Sequence, residues 1–426
     1  MKVKLISVLN DTNVDAAQVS NQRQLSISMS AIPAGFEQSL PLNLCLILDQ
    51  SGSMSGEPMN TVMQAVEQLL DQLKPGDRIS VIAFAGTARV IIPNQIVSDS
   101  NSIKTQLKVK LKAAGATVIA EGLSLGITEL LKGTKGAVSQ AFLLTDGHGD
   151  KGLQIWKWQI GPNDNKRCLQ LAKKAAKLNL TINTLGFGDD WNQNLLEKIA
   201  DAGGGTLAYI ENPEQAVTQF ARLFRRVQLV GLTNAHLLLS FVPSVRLAEL
   251  KPIAQVAPDT IELPVETDAN GTLVLRLGDL MKDVERVVLA NIYLGQLPEG
   301  KQVIGHIQIR YDDPSLNKQG LLSPLAPIYA NFTKSYEPAL NSQVLQSILL
   351  LAKYRQTQLA EAKLALGDAK GAATMLQTAA NTALQIGDSS AVTVLQSSAT
   401  RLQVGGELSK SDQKKTRIAS KTVLKE

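Results

Sequence analysis

The chain has 426 residues, 44% of them hydrophobic and 19% charged. That is an ordinary globular composition, with room for two or three domains of roughly 100–200 residues each. Aromatics are only 4% and the formal net charge is a mild +5, which argues against a base-stacking nucleic-acid binder and gives no bulk-charge signal for a membrane surface.

In chain order, the opening "MKVKLISVLNDTNVDAAQ" has no apolar core of signal-peptide length. The longest apolar runs, such as "SILLLAKY", fall well short of the ~20 residues that span a bilayer. A cytoplasmic protein without a membrane partner is the expectation. Two distant cysteines, Cys45 and Cys168, build neither a disulfide framework nor a cysteine zinc site. The strict alternation in "RQLSISMSAIP" predicts a strand with one buried face. Residues 1–36 have no sheet of their own, and the expectation is that they complete a later β-sandwich.

Residues 37–228 alternate apolar runs with amphipathic stretches. "NLCLILD" shows no polar alternation, as a strand buried on both faces in a parallel sheet would. A helix follows, with Met59, Val62, Met63, Val66, Leu69, Leu70 and Leu73 at helical spacing, stopped by Pro75 and Gly76. "RISVIAFA", "SQAFLLTD", "LTINTLGFG" and "TLAYIE" predict further strands, "ARVIIP" an edge strand, and helices fall between them. This alternation predicts an α/β domain with a doubly wound, mostly parallel sheet. Residues 229–335 are β-rich and punctuated by Pro, Gly, Asn and Asp, predicting an antiparallel sandwich. Residues 336–404 turn helical. Here "LGDAKGAATMLQTA" and "IGDSSAVTVLQSSA" resemble one another, each with a Gly that ends one helix and an Asp that caps the next. Residues 405–426 are polar and mildly basic, and the expectation is a tail.

The chemistry concentrates at three loops of the α/β domain. Asp49 and Asp146 both end apolar strands, where ligands bind in an open parallel sheet. Ser51 and Ser53 are two residues apart, so in an extended loop their hydroxyls point the same way. Thr117 precedes a helix in "KAAGATVIAEGL". Two carboxylates and three hydroxyls suit a hard divalent cation such as Mg²⁺, held in an oxygen shell with retained water. Such a cation keeps its electrophilic character and can take up a further carboxylate.

With "DQSGS" at 49–53, "GAT" at 115–117 and "LLTDG" at 143–147, residues 41–228 resemble the von Willebrand factor A (VWA) domain and its metal-ion-dependent adhesion site (MIDAS). The whole chain is similar to bacterial cytosolic VWA proteins with a β-sandwich and a helical tail. The resemblance implies a Rossmann-like domain inserted in or followed by the sandwich. It also implies a Mg²⁺ or Mn²⁺ site at Asp49, Ser51, Ser53, Thr117 and Asp146, and a protein partner that presents an Asp or Glu. Ser51 and Ser53 would ligate directly; the other three would do so directly or through water. The stretch "HGDKGLQIWKWQIGPND" after Gly147 departs from the pattern expected of the relatives, and its Trp156, Trp158 and His148 are candidate partner contacts.

The plain alternatives are a serine-rich turn for the five-residue set, a hydrophobic flap for Trp156 and Trp158, and a solvent-facing histidine for His148. A non-enzymatic interaction module is the leading expectation. The runner-up is a substrate adaptor for a separate MoxR- or chelatase-type (AAA-type) ATPase, since the chain has no P-loop of its own. A metal-dependent hydrolase fits less well: the chain has three scattered histidines and no G-x-S-x-G elbow.

Overall fold

The computed structural model describes residues 2–33, 40–111, 117–134, 136–147 and 163–421. Strands β1 (Lys2–Leu9), β2 (Asn13–Asp15) and β3 (Ser20–Ile32) come first. The α/β segment follows with β4 (Leu42–Asp49), α1 (Glu57–Gln72), β5 (Arg78–Phe84), β6 (Ala88–Ile96), α2 (Ser100–Lys110), α3 (Ile119–Leu130) and β7 (Val138–Thr145). It continues through α4 (Asn163–Lys177), β8 (Thr181–Phe187), α5 (Gln193–Gly203), β9 (Gly204–Ile210) and α6 (Glu214–Gln228). Then come β10 (Val230–Phe241), β11 (Val245–Leu247), β12 (Ile253–Ala257), β13 (Ile261–Glu262), β14 (Glu266–Thr267) and β15 (Leu273–Met281). The last strands are β16 (Arg286–Gly295), β17 (Gly300–Asp313), β18 (Lys318–Leu322) and β19 (Ala326–Thr333), followed by helices α7 (Ser342–Ala365), α8 (Ala369–Gln385), α9 (Ser389–Gln403) and α10 (Lys410–Lys421).

These elements fall into two compact units. One comprises Gly35–Asn234 with Asp312–Gln319; the other comprises Met1–Ala34, Ala235–Tyr311 and Gly320–Glu426. In the first, the strand order is β6-β5-β4-β7-β8-β9. Neighbours are parallel except β6, which runs antiparallel to β5 as an edge. All eight residues of β4 are buried, which is why Leu44–Leu48 is a continuous apolar run rather than an alternating one; the buried Asn43 is satisfied by donating to the Leu130 carbonyl at 2.9 Å. Helix α1 packs on α6, while α3 packs on α4 and α4 on α5. Cys45 on β4 and Cys168 on α4 are both buried free thiols, and burial pushes the Cys45 thiol up to about 12, so it behaves as a small hydrophobe.

The second unit holds two sheets. One has the order β1-β3-β16-β12-β13, with β11 also on β16; the other has the order β14-β15-β10-β17-β19-β2, with β18 also on β17. The N-terminal β3 runs antiparallel to β16 from Ser20↔Gly295 to Arg286↔Met29. The sheets touch through β3 with β15 and β1 with β19. Alternate residues face that core: Leu25, Ile27 and Met29 of β3, and Val288, Ala290 and Ile292 of β16, are buried. This is the period of two that the sequence displays.

Helix α7 docks on the first of these sheets, where Val344 clusters with Val256 and Leu289. Its far half joins α8 and α9 in an alanine-rich core that includes Ala360, Leu376, Ala380, Leu395 and Leu402. The two similar segments build the same joint twice. Gly367 and Gly387 adopt φ of 79° and 74°, the left-handed conformation that ends a helix. Asp368 and Asp388 then accept the backbone N–H of Gly371 and Ala391 at 2.8 and 3.1 Å.

Within the expected tail, residues 405–426, the described residues 405–421 carry α10, which is packed rather than trailing. Lys353 of α7 is fully buried, and its ammonium donates to Asp388 Oδ2 at 2.7 Å and to the Ala419 carbonyl at 3.0 Å. Ser398 and Thr416 hydroxyls meet at 3.0 Å, the Thr260 N–H donates to the Lys421 carbonyl at 2.8 Å, and Arg417 pairs with Glu361. The segment reads as a tail because these anchors are polar and show no apolar periodicity. Among the described residues, no helix is long and apolar enough to cross a membrane.

Candidate functional site

The site forms where β4 and β7 end side by side. Parallel pairing sets Leu48 opposite Leu144, so Asp49 and Thr145 occupy the last positions of adjacent strands. The chain beyond Asp49 turns at once. Gly52–Met54 forms a short 3₁₀ turn whose Ser55 N–H donates to the Gly52 carbonyl, and α1 begins at Glu57. Ser55 therefore closes the turn, while Ser51 and Ser53 remain on the site side.

Four of the five expected residues form one hydrogen-bonded cluster. The Asp49 carboxylate is fully buried. Its Oδ1 accepts the Ser51 N–H at 2.8 Å and its Oδ2 accepts the Thr145 hydroxyl at 2.5 Å. The Ser51 and Ser53 Oγ atoms lie 3.1 Å apart. Both hydroxyls donate to Asp146 Oδ1, at 3.5 and 2.9 Å respectively. The fifth residue, Thr117, reaches the cluster through Gly147: a Cβ at Gly147 would stand 2.9 Å from Thr117 Oγ1, a separation that real Cβ atoms do not tolerate. Glycine is needed there so that the loop after β7 can close on the loop that carries Thr117. His148, Trp156 and Trp158 lie outside the described residues.

Burial dominates the electrostatics. It pushes the Asp49 carboxyl up to about 6, with the Thr145 and Ser51 hydrogen bonds acting the other way and the charge of Asp146 adding to the rise. Burial also raises Asp146 above the ordinary carboxylate range, opposed by its hydrogen bond from Ser53, while the charge of Asp190 adds to the rise. Two desolvated carboxylates thus face one another with hydroxyl oxygens between them, an arrangement that becomes more favourable when a cation neutralises it. Among the described residues, no three His, Cys, Asp or Glu side chains converge as a cation site. A metal held here would rest on hydroxyls as much as on carboxylates, the donor set that hard divalent cations accept.

Two features were not singled out from sequence. Thr145, one residue before Asp146, bridges the loops. The β8–α5 connection, Gly188 to Trp191, also lies at this end of the sheet and brings Asp190 close enough to act on Asp146. Trp191 anchors that connection: it is buried, its indole N–H donates to the Gly188 carbonyl at 2.8 Å, and its ring lies over Gly186, where a Cβ would meet it at 2.1 Å. Gly186→Ala should therefore displace the indole and destabilise the domain by about 1–3 kcal/mol, the usual cost of overpacking. Urea unfolding of the purified variant measures this, and an unchanged midpoint would show that the indole yields without cost.

The comparisons with known proteins agree with this architecture. The family model for the von Willebrand factor type A domain matches residues 43–222, and that for the Sll0103-like, C-terminal alpha-helical domain matches residues 342–426. The protein sll0103 of Synechocystis sp. is 51% identical over 424 residues, covering 100% of this chain and 98% of that protein. YfbK of Escherichia coli is 27% identical over 206 residues, covering 47% of this chain and only 34% of its own length. Among solved structures, a von Willebrand factor type A protein from Catenulispora acidiphila superposes with a TM-score of 0.80 at 20% identity, covering 99% of this chain and 97% of that one. The ArnB paralog VWA2 from Sulfolobus acidocaldarius gives a TM-score of 0.55 at 16% identity, covering 99% and 98%. At these identities the structural likeness concerns the fold alone.

Proposed function

Because the chain belongs to the von Willebrand factor type A domain proteins that end in an Sll0103-like helical domain, we propose that it is a non-catalytic protein-interaction module. In this reading it binds a partner's Asp or Glu side chain through a divalent cation, Mg²⁺ or Mn²⁺. The observation that carries the proposal is the convergence of Ser51, Ser53 and Asp146 on one point, with Asp49 buried behind them. Ser51, Ser53 and Asp146 would hold the ion directly. Thr117 would approach from the third loop. Asp49 already receives one hydrogen bond on each oxygen, so its main part is to fix the Ser51 loop and supply negative charge. When bound, the cation supplies an electrophilic coordination position for a carboxylate. The rest of the work is done by the protein, which keeps the hydroxyls aligned and the Asp49 carboxylate out of water.

Calorimetric titration of the full chain with Mn²⁺ tests the first half of the proposal. One site per chain is expected, with a rise in thermal midpoint because only the folded state binds; at one hundred times the dissociation constant the gain is about 2.7 kcal/mol. Binding to immobilised Asp- and Glu-containing peptides, against their Asn and Gln counterparts, tests the second half. Retention that needs the cation and the carboxylate, and that Asp49→Ala abolishes, is the expected result. Retention unaffected by chelator would overturn the proposal.

A further inference from the structure

We infer that Thr145 is a positioning residue that sets the cation affinity of the site by locking two ligand loops together; this rests on the cation reading above. Thr145 is fully buried at the last position of β7. Space alone does not require threonine there, since valine would fill the same volume. The hydroxyl is the distinguishing group, and it is used twice. It donates to Asp49 Oδ2 at 2.5 Å and accepts the Gly147 N–H at 3.0 Å. One hydrogen bond therefore reaches across to the loop that carries Ser51 and Ser53, and the other clamps the backbone just beyond Asp146.

The consequence is geometric. Asp146 is held between residue 145, tied to Asp49, and residue 147, tied back to residue 145. Its Oδ1 can then meet both serine hydroxyls. Loss of the hydroxyl frees the Gly147 N–H and leaves Asp49 Oδ2 without that donor, so the two loops lose their common pivot. The effect extends to the third loop, because Gly147 lies directly against Thr117. A partner that orients ligating groups without being a ligand itself typically contributes 10–100-fold in metal affinity.

The test compares the full-length wild type with Thr145→Val, Thr145→Ser and Thr145→Ala. The readouts are the Mn²⁺ dissociation constant by calorimetry and the thermal midpoint in EDTA. Thr145→Val should weaken Mn²⁺ by about 10–100-fold, whereas Thr145→Ser, which keeps the hydroxyl, should stay within about threefold of wild type. A purely space-filling threonine would give the opposite pattern, with valine tolerated. The inference is overturned if Thr145→Val binds like wild type, or if Thr145→Ser is as weak as Thr145→Val. Should Thr145→Val not fold, Thr145→Ala set against Thr145→Ser decides between the outcomes. Both lose the methyl and only Thr145→Ser keeps the hydroxyl, so binding roughly tenfold weaker in Thr145→Ala than in Thr145→Ser supports the locked-loop geometry, and equal affinity refutes it. Wild-type protein that takes up no Mn²⁺ would overturn the cation reading and this inference together. Wild-type uptake with Thr145→Val and Thr145→Ala both silent would overturn this inference alone.

Discussion

Asp49→Asn should abolish Mn²⁺ uptake while leaving the metal-free chain at least as stable as wild type near neutral pH. Asn keeps the side-chain shape and can still accept the Ser51 N–H, but its amide nitrogen cannot accept from Thr145 as Asp49 Oδ2 does, so the Thr145 bridge is lost along with the charge. The expected loss of affinity therefore exceeds the ~10–100-fold typical of outer-shell partners. The stability half follows from the titration of Asp49. Burial raises its carboxyl from the ordinary value of 3.8 to about 6, so between those values the folded state binds more protons than the unfolded state. The stabilising contribution of the protonated carboxyl is complete below the unfolded value and is lost as pH rises through the folded one. Above about pH 6 the ionised, metal-free Asp49 costs the folded state on the order of 3 kcal/mol. In EDTA, the stability of Asp49→Asn relative to wild type should therefore grow from about pH 4 to about pH 7. Urea unfolding at several pH values measures it. A pH-independent difference, or an Asn variant clearly less stable at neutral pH, would contradict the assignment of Asp49 as a buried charge awaiting a counter-ion.

Lys353→Met should destabilise the C-terminal helices by about 3 kcal/mol, the low end of the cost of breaking a buried ion pair. The Lys353 side chain is 0% exposed and its partner Asp388 is 27% exposed. Water can therefore satisfy Asp388 once the ammonium is gone, and Asp388 still caps α9 through the Ala391 N–H. The Ala419 carbonyl, by contrast, loses its Lys353 donor, a tie from α10 to α7 that the Arg417–Glu361 pair does not replace. Helix α10 should lose its protection first. Hydrogen exchange resolved over residues 410–421 reads this directly, with chemical denaturation giving the total. If α10 exchanges as slowly in Lys353→Met as in wild type, Lys353 is not its anchor.

How far each feature was legible in sequence depended on the kind of interaction that builds it. The parallel strands announced themselves because burial on both faces demands apolar runs, as in Leu44–Leu48 of β4 and Ala141–Leu144 of β7. The joints at Gly367–Asp368 and Gly387–Asp388 were legible because a left-handed helix end and an N-cap each select a residue type locally. The oxygen-rich cluster was legible because a sheet restricts where such groups can sit, and their types match the donors a hard cation accepts. Helix α10 was not legible, since its hold on the molecule is mostly a lysine, an Arg–Glu pair, hydroxyls and backbone carbonyls that come from several separate segments. Thr145 was visible as part of "LLTDG" but not as a bridge, because a buried threonine and a packed valine occupy a strand in the same way.

By itself, then, the sequence determined the element types, the alternation that makes a doubly wound sheet and the chemical character of the site. These are consequences of burial period and donor chemistry, which are local properties of the chain. The tertiary structure decided the rest. It set β3 beside β16, from the opposite side of the α/β segment in sequence. It brought Thr145 within 2.5 Å of Asp49, and it folded a polar C-terminal segment onto a buried lysine. Each of these depends on strand register or on a hydrogen bond between distant segments, and neither leaves a periodic trace in the residues that make it.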